Sequence, residues 1–182
     1  TMTVEIGHFA LVLALAVACW QMLAPLYGAA TNNVAMMEQG RTAAVLQLAL
    51  IALSFLALTN AYLVSDFSVL NVADNSHSAK PLIYKISGVW GNHEGSMLLW
   101  VLILALFGAA VALFGRHLPM SLRARVLAVQ ASIGVAFLIF ILMASNPFLR
   151  LAQPPVQGQG LNPILQDPAL AFHPPFLYGG YV

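Results

Sequence analysis

The stretch best suited to chemistry is His173-Pro174-Pro175, which follows a proline-rich segment and precedes the apolar run FLYGGYV. Pro174 has no backbone N–H and disfavours the helical conformation for the residue before it. We therefore expect His173 to be extended, with little backbone freedom, at the outer mouth of a helix. An imidazole fixed at a membrane edge suits axial ligation of haem iron or of another metal. The alternative is a histidine that only caps or hydrogen-bonds locally at the start of a helix.

A second stretch, VWGNHEGSMLLW over residues 89–100, places polar groups beside an apolar run. Trp90 is typical of the aromatic belt at a membrane surface, and Glu94 at a helix start complements the helix dipole. The functional interpretation is a polar site at the outer leaflet, in which Trp90, His93 and Glu94 contact a cofactor or support its ligands. The alternative is helix capping combined with interfacial anchoring.

The remaining histidines and the single cysteine carry weaker signals. We expect structural or neutral roles for His8, His77 and His117, because each stands alone in its local pattern. Cys19 lies within an apolar run and is the only cysteine, which excludes an intrachain disulfide, a cysteine-based metal site and a Cys-x-x-Cys-His haem attachment motif in this sequence.

The composition indicates whether the protein is surrounded by water or by lipid. The chain has 182 residues, of which 60% are hydrophobic and 7% charged, whereas a soluble domain is about one quarter charged. So few charges cannot cover a globule with polar surface, so the sequence predicts an integral membrane protein whose first partner is the lipid bilayer. The net charge of +1 gives no basic face and so predicts no nucleic-acid partner.

Four uncharged apolar runs are each long enough to cross a bilayer, which takes about 20 residues. They cover residues 6–26, 43–64, 97–114 and 126–144. Backbone groups in lipid must be satisfied within the segment, so the fold class is all-α, a polytopic transmembrane helical protein. We expect the third helix to begin earlier, near His93, and Pro25 to end or kink the first helix.

The run after His-Pro-Pro predicts the start of a fifth span, because proline is favoured in the first turn of a helix. Residues 1–182 therefore read as the N-terminal part of a longer membrane domain, with four full spans and the beginning of a fifth. Two segments lie outside the lipid on the same side, residues 65–95 and 145–175. The second is rich in proline but carries apolar residues that could anchor it, so we expect an ordered loop.

The basic residues predict the orientation. One side carries four arginines in short loops (Arg41, Arg116, Arg123 and Arg125), and the other carries three basic residues in much longer segments (Lys80, Lys85 and Arg150). The positive-inside rule places the first side in the cytoplasm. We therefore expect His173 on the periplasmic side of a bacterial inner membrane.

Polar residues inside the spans are uncharged, and such groups commonly hold helices together. They are Gln21, Gln47, Ser54, Thr59, Asn60, Gln130 and Ser132. No carboxylate or lysine lies in mid-membrane, so the usual signature of a proton relay or ion path is missing. No pair of mid-helix histidines is present either, so these four helices alone do not predict a cytochrome b-type haem sandwich.

Several motifs together resemble a known family. VEIGHFAL, WGNHEGSMLLWVLILALFG, SNPF, LNPILQDP and FHPPFLYGGYV occur in the order typical of the cytochrome c maturation protein F (CcmF) family, the large bacterial membrane haem lyase subunit. The resemblance extends over essentially the whole chain. It implies cytochrome c-type biogenesis, in which haem vinyl groups are joined to the two thiols of apocytochrome c on the periplasmic face.

The resemblance also implies site residues, cofactor and partners. His173 matches a periplasmic haem ligand of the family, and Trp90, His93 and Glu94 fall in a family signature of less certain role. The cofactor is haem b, both as substrate and as a bound group that is thought to supply an electron. The partners are the haem chaperone CcmE, a CcmH-type apocytochrome presenter and apocytochrome c. Haem-lyase activity is implied for the full-length protein and not for this segment alone.

Three alternative functions remain open from the sequence. The nitrite reductase-specific lyase subunit NrfE shares much of the pattern. A haem transporter needs a polar path through the bilayer, and the spans offer none. A scaffold would recruit the chaperone and the apocytochrome without catalysis, and the haem content of the protein would distinguish it from a lyase.

Overall fold

The computed structural model describes residues 2–182; Thr1 lies outside the described residues. The described chain is all-helical, and its only β-type pairing is an isolated bridge between Val69 and Arg150. The helices are α1 (Met2–Thr31), α2 (Val34–Leu63), α3 (Leu70–Asn75), α4 (Leu82–Gly88), α5 (His93–Phe114), α6 (Met120–Ala144) and α7 (Pro168–Tyr181), with 3₁₀ turns at Gly115–His117 and Pro163–Gln166. The predicted all-α class is confirmed.

Four helices, α1, α2, α5 and α6, are long and apolar enough to cross a membrane, which confirms the four predicted spans. All four extend beyond the predicted limits at one end or both. Both α1 and α2 have 30 residues and so measure about 45 Å, more than the roughly 30 Å of hydrocarbon. Helix α5 begins at His93, as the sequence predicts.

The expectation that Pro25 ends the first helix is wrong, because α1 continues through it to Thr31. Pro25 is buried against α2, where Gly40 provides the room: a Cβ added at Gly40 would lie 2.8 Å from Pro25 Cγ. Proline removes one backbone hydrogen bond from α1. The buried packing of Pro25 against α2 compensates for that loss.

A tight turn joins α1 to α2, in place of a longer loop between the predicted spans 6–26 and 43–64. Asn32 adopts a left-handed conformation with φ of 55°, and the Asn33 N–H donates to the Gly28 carbonyl at 2.9 Å. The Asn33 side chain then accepts a bond from the Met36 N–H at 3.2 Å, which caps α2. The two helices therefore form an antiparallel hairpin that projects beyond the lipid.

The bundle is packed through small residues. Helix α1 lies against both α2 and α6, and α2 lies against α5. Alanines are prominent among the buried residues of these contacts, including Ala14, Ala18, Ala57, Ala61, Ala105 and Ala131. Small side chains let helix backbones approach closely, which is how membrane helices gain van der Waals contact without a hydrophobic driving force.

Two glutamines tie three helices together in mid-bundle. Gln21 Nε2 on α1 donates to the Leu127 carbonyl at 3.1 Å and to Gln130 Oε1 at 2.8 Å. Gln130 Nε2 on α6 donates to the Leu104 carbonyl of α5 at 3.0 Å. Gly108 leaves space for the Gln130 side chain. For this pair, the interpretation as polar ties between helices is confirmed.

The segments outside the bundle form an ordered layer over one end of it. Residues 68–70 and 149–151 run antiparallel: the Leu70 N–H donates to the Leu149 carbonyl at 2.8 Å, and the Leu151 N–H donates to the Ser68 carbonyl at 2.9 Å. Arg150 bonds Glu5 of α1 at 2.6 Å. These bonds hold the start of the proline-rich segment against residues 68–70 and α1.

Helix α7 leaves this layer and runs beside α5. Tyr178 stacks on Trp100 with ring centroids 5.7 Å apart and an interplanar angle of 6°. Further along, Val182 lines a groove together with Leu104 and Gly108 of α5. The predicted start of a fifth helix is therefore present, but it begins at Pro168, before the His-Pro-Pro motif.

We predict that Gly28→Ala destabilises the bundle. A Cβ at this position would lie 2.6 Å from the Met37 backbone nitrogen, and backbone cannot move aside as a flexible side chain can. The expected cost is about 1–3 kcal/mol, measured as a lower unfolding temperature in detergent micelles. The matched control is Gly134→Ala, whose Cβ would meet nothing within 4 Å. Equal unfolding temperatures for both variants would contradict the close contact.

Candidate functional site

His173 lies inside helix α7, so the predicted extended conformation outside a helix is wrong. Two local features start the helix before the prolines. The Asp167 side chain accepts bonds from the Ala169 N–H at 2.8 Å and from the Leu170 N–H at 3.3 Å, and Pro168 occupies the first turn. The cap and the tertiary contacts of α7 outweigh the steric preference that a following proline imposes on His173.

The imidazole of His173 is presented on the open side of α7. Ala171 is buried and His173 is exposed, consistent with their positions about 200° apart around the helix. Phe176 and Leu177, close to His173 on that face, are 79% and 40% exposed. The arrangement is an exposed nitrogen ligand flanked by apolar side chains, which suits a flat, apolar macrocycle with a metal at its centre.

Trp90 connects the second sequence motif to α7. Its indole N–H donates to the Ala171 carbonyl at 2.8 Å. Phe55 of α2 stacks against the indole, with centroids 6.4 Å apart and an interplanar angle of 15°. The Trp90 side chain is therefore held between the bundle and the helix that carries His173.

A cleft of about 290 Å³ lies between the start of α5 and the inner face of α7. Trp90 and His93 line it from one side, and Pro174 and Tyr178 line it from the other. Ser87, at its floor, has a buried hydroxyl without a hydrogen-bond partner among the described residues. The cleft is thus mainly apolar, with a few polar groups directed into it.

His93 is fixed in orientation by two contacts from α6 and the residue after it. Its Nδ1 lies 2.9 Å from Ser145 Oγ, and its ring meets Phe140 edge-on at 6.1 Å. The Nδ1 contact leaves Nε2 as the nitrogen open to a ligand or a hydrogen-bond partner.

Glu94 belongs to a polar network that the sequence did not reveal. Asn71 Nδ2 donates to Glu94 Oε2 at 3.2 Å and to Asn92 Oδ1 at 2.8 Å. Tyr62 is fully buried; its hydroxyl donates to Asn71 Oδ1 at 2.7 Å and accepts from Asn92 Nδ2 at 3.0 Å. Asn92 Oδ1 also caps α5 by accepting the Gly95 N–H at 2.8 Å. The network joins α2, α3 and α5 beneath the outer layer.

The four predicted site residues thus separate into three environments. Trp90 and His93 share the cleft, Glu94 lies in the asparagine network, and His173 faces outward from α7. Within residues 2–182, no three His, Cys, Asp or Glu side chains come together as a metal site. His173 stands apart from the other three residues, and Trp90 contacts the same helix through the Ala171 carbonyl.

The other histidines have local contacts. His8 Nε2 lies 3.2 Å from Asn146 Nδ2, and His77 Nδ1 accepts the Ala79 N–H at 3.1 Å. His117 lies in the 3₁₀ turn at the opposite end of the bundle. These placements agree with the structural or neutral roles expected for them.

Lys80 is the titratable group outside the spans that its surroundings perturb most clearly. Burial, and to a smaller extent the nearby charge of Lys85, lower the pKa of Lys80 to about 8. Its ammonium donates to the Asn75 carbonyl at 3.2 Å. Lys85 donates to Ser65 Oγ at 2.9 Å.

Comparison with known proteins gives consistent matches. Residues 90–182 match the family described as Cytochrome C assembly protein. The chain is 62% identical over 181 residues to the cytochrome c-type biogenesis protein ccl1 of Rhodobacter capsulatus and 48% identical over 179 residues to CcmF of Escherichia coli. It is 39% identical over 178 residues to NrfE of Haemophilus influenzae.

A solved structure, Cytochrome c Heme Lyase CcmF, matches 98% of this chain with a TM-score of 0.84 at 26% identity. The three relatives match 98–100% of this chain, and the chain spans 28% of the length of each of them and of the solved structure.

We predict that Tyr62→Phe lowers the free energy of unfolding by about 1–3 kcal/mol, because it removes the buried hydroxyl that donates to Asn71 Oδ1 and accepts from Asn92 Nδ2. Thermal unfolding in detergent micelles measures the effect. Tyr27→Phe is the matched control, since Tyr27 is 59% exposed. A Tyr62→Phe variant as stable as the control would show that the network adds nothing to stability.

We predict that unfolding temperature rises with pH above 8 and that Lys80→Met reduces the rise. Between pH 8 and 10.5 the unfolded chain keeps the Lys80 proton that the folded chain releases, so raising the pH favours the folded state. The measurement is the unfolding temperature of both proteins from pH 7 to 10. Parallel curves would show that Lys80 has an ordinary pKa.

Proposed function

The chain belongs to the cytochrome c assembly protein family, within the CcmF group of cytochrome c-type biogenesis proteins, and from this premise we propose that it supplies a haem ligand to a membrane haem lyase. The ligand is His173, at the periplasmic face of a bacterial inner membrane. The observation that carries the proposal is the exposed imidazole on the open face of α7, flanked by Phe176 and Leu177.

The residues around His173 fit a haem. Histidine is a common axial ligand of haem iron, and the porphyrin plane needs apolar surface beside the ligand. Phe176 and Leu177 offer such surface, and α7 lies at the boundary between the outer layer and the bundle. His93 and Trp90, one helix away, line the cleft behind α7 and support the site from that side. Glu94 accepts a hydrogen bond from Asn71 and so helps to fix the start of α5.

The role of this segment in the reaction is positioning. When bound, haem b supplies vinyl groups to which the two cysteine thiols of apocytochrome c add, each S–H adding across one C=C bond. His173 would hold the haem in a fixed orientation toward the incoming thiols, and orientation of reacting groups is a large part of such catalysis. His173 would act neither as an acid nor as a base. A haem b bound elsewhere in the complete gene product would supply the electron that keeps the iron ferrous.

The proposed partners lie on the side of His173. They are the haem chaperone CcmE, a CcmH-type presenter and apocytochrome c, all outside the membrane. The opposite end of the bundle carries four of the five arginines, among them Arg123, which pairs with Glu38 at 2.7 Å. This distribution supports the orientation through the positive-inside rule. The four spans themselves make the chain a multi-pass membrane protein.

Two of the alternative functions fit less well. Identity to NrfE of Haemophilus influenzae is 39%, whereas CcmF of the same organism is 45% identical to this chain. That difference favours general cytochrome c biogenesis over a lyase dedicated to nitrite reductase. The mid-bundle ties are uncharged amides between packed helices, which does not suit a haem transport path.

We predict that His173→Ala in the complete gene product lowers haem content and holocytochrome c at least tenfold, while membrane insertion stays intact, because the iron loses its axial imidazole. Haem is measured from the Soret absorption of the purified protein, and holocytochrome c from haem staining of cells. His117→Ala, at the opposite end of the bundle, is the control. Normal haem and holocytochrome c in His173→Ala would refute the proposed ligand. If His173→Ala lost haem while holocytochrome c stayed normal, His173 would bind haem without a role in attaching it to apocytochrome c.

A further inference from the structure

We propose that Trp90 is a positioning residue for His173, and that it acts through a backbone carbonyl that Pro175 leaves without its helical partner. The inference rests on the proposed function, since it concerns how the ligand is aimed. It assigns a specific task to the tryptophan of the WGNHEGS stretch, whose indole N–H meets the Ala171 carbonyl at 2.8 Å.

The first step concerns the hydrogen bonds of α7. In an α-helix the N–H of residue 175 would donate to the carbonyl of residue 171. Pro175 has no N–H, so the Ala171 carbonyl loses that bond. Ala171 is only 4% exposed, so solvent has little access to replace it. The Trp90 indole supplies the missing donor from outside the helix.

The second step concerns the indole itself. Tryptophan has one side-chain donor and no acceptor, so this bond satisfies its whole hydrogen-bonding capacity. The ring is stacked on Phe55 of α2, and the Trp90 backbone N–H donates to the Ser87 carbonyl at 3.2 Å. Trp90 is therefore tied to the bundle and can hold α7 against it.

The third step links the bond to the ligand. Ala171 and His173 are two residues apart in one helix, so holding the Ala171 carbonyl fixes the rotation of α7 near the imidazole. Seven residues after Ala171, Tyr178 stacks on Trp100 and gives a second point of attachment. Ala171 and Tyr178 lie about 20° apart around the helix, so the two contacts hold one face of α7 against the bundle. Removing the first lets α7 turn about the second, and a ligand site tolerates only about 10–20° of misorientation.

A double-mutant cycle tests the idea, because Pro175→Ala restores the backbone donor that the indole replaces. Trp90→Phe and Pro175→Ala are made singly and together in the complete gene product. Trp100→Phe, alone and with Pro175→Ala, is the matched control: it removes indole stacking on Tyr178 without touching the Ala171 carbonyl. Haem retention is measured from the Soret absorption after dilution.

The position of α7 is measured independently of haem. Spin labels are attached at Leu82→Cys and Phe176→Cys, two exposed positions on α4 and α7, in a Cys19→Ser background. The distribution of distances between the labels reports how firmly α7 is held.

We expect Trp90→Phe to broaden this distribution and to lower haem retention about tenfold, the size of effect that fits a buried carbonyl left unpaired. With Pro175→Ala present, Trp90→Phe should change retention less than twofold and leave the distribution narrow. Trp100→Phe should have the same effect in both backgrounds. Equal losses for Trp90→Phe in both backgrounds, or a distribution that Trp90→Phe leaves unchanged, would overturn the inference.

Failure of the proposed function has a different signature. If His173→Ala retains haem, His173 is not the ligand, whatever the label distances show. If His173→Ala loses haem and Trp90→Phe keeps both haem and the narrow distribution, the ligand stands and the positioning role of Trp90 fails.

Discussion

Hydrocarbon offers no partner for a backbone N–H or C=O, so each such group in the membrane must be satisfied within the protein. The long helices meet this requirement through their own hydrogen bonds. Where prolines interrupt α7, the Ala171 carbonyl is bonded by the Trp90 indole instead. The relation between the His-Pro-Pro and WGNHEGS stretches follows from the same requirement. Pro175 has no backbone N–H to donate to the Ala171 carbonyl, and the indole N–H of Trp90 donates to it instead.

The residues of the outer layer fix the two helices that this hydrogen bond joins to each other. Tyr62, Asn71 and Asn92 fix the start of α5, which lies next to Trp90 in sequence and carries His93. Helix α7 is then bonded to Trp90 and stacked on Trp100. His173 consequently faces away from a rigid support.

The spans could be predicted because the absence of charge over some 20 residues has few explanations in a protein so poor in charge. The start of α5 at His93 was likewise visible in the sequence. The backbone preferences that proline imposes predicted the wrong local structure in two places. Helix α1 continues through Pro25 because Gly40 makes room for the proline ring. His173 is helical because the Asp167 cap starts α7 before the prolines. The Tyr62 network was missed because its bonds to Asn71 and Glu94 and between Tyr62 and Asn92 join residues 9 to 30 positions apart, which meet only in the fold. Asn92, three residues before Gly95 at a helix start, was the one available signal for it.

The ties between Gln21, Gln130 and the backbone of α5 and α6 are made entirely by amides. Amides neither gain nor lose a proton over the range in which bacteria live. Acidification of either compartment therefore leaves the strength of these three hydrogen bonds unchanged.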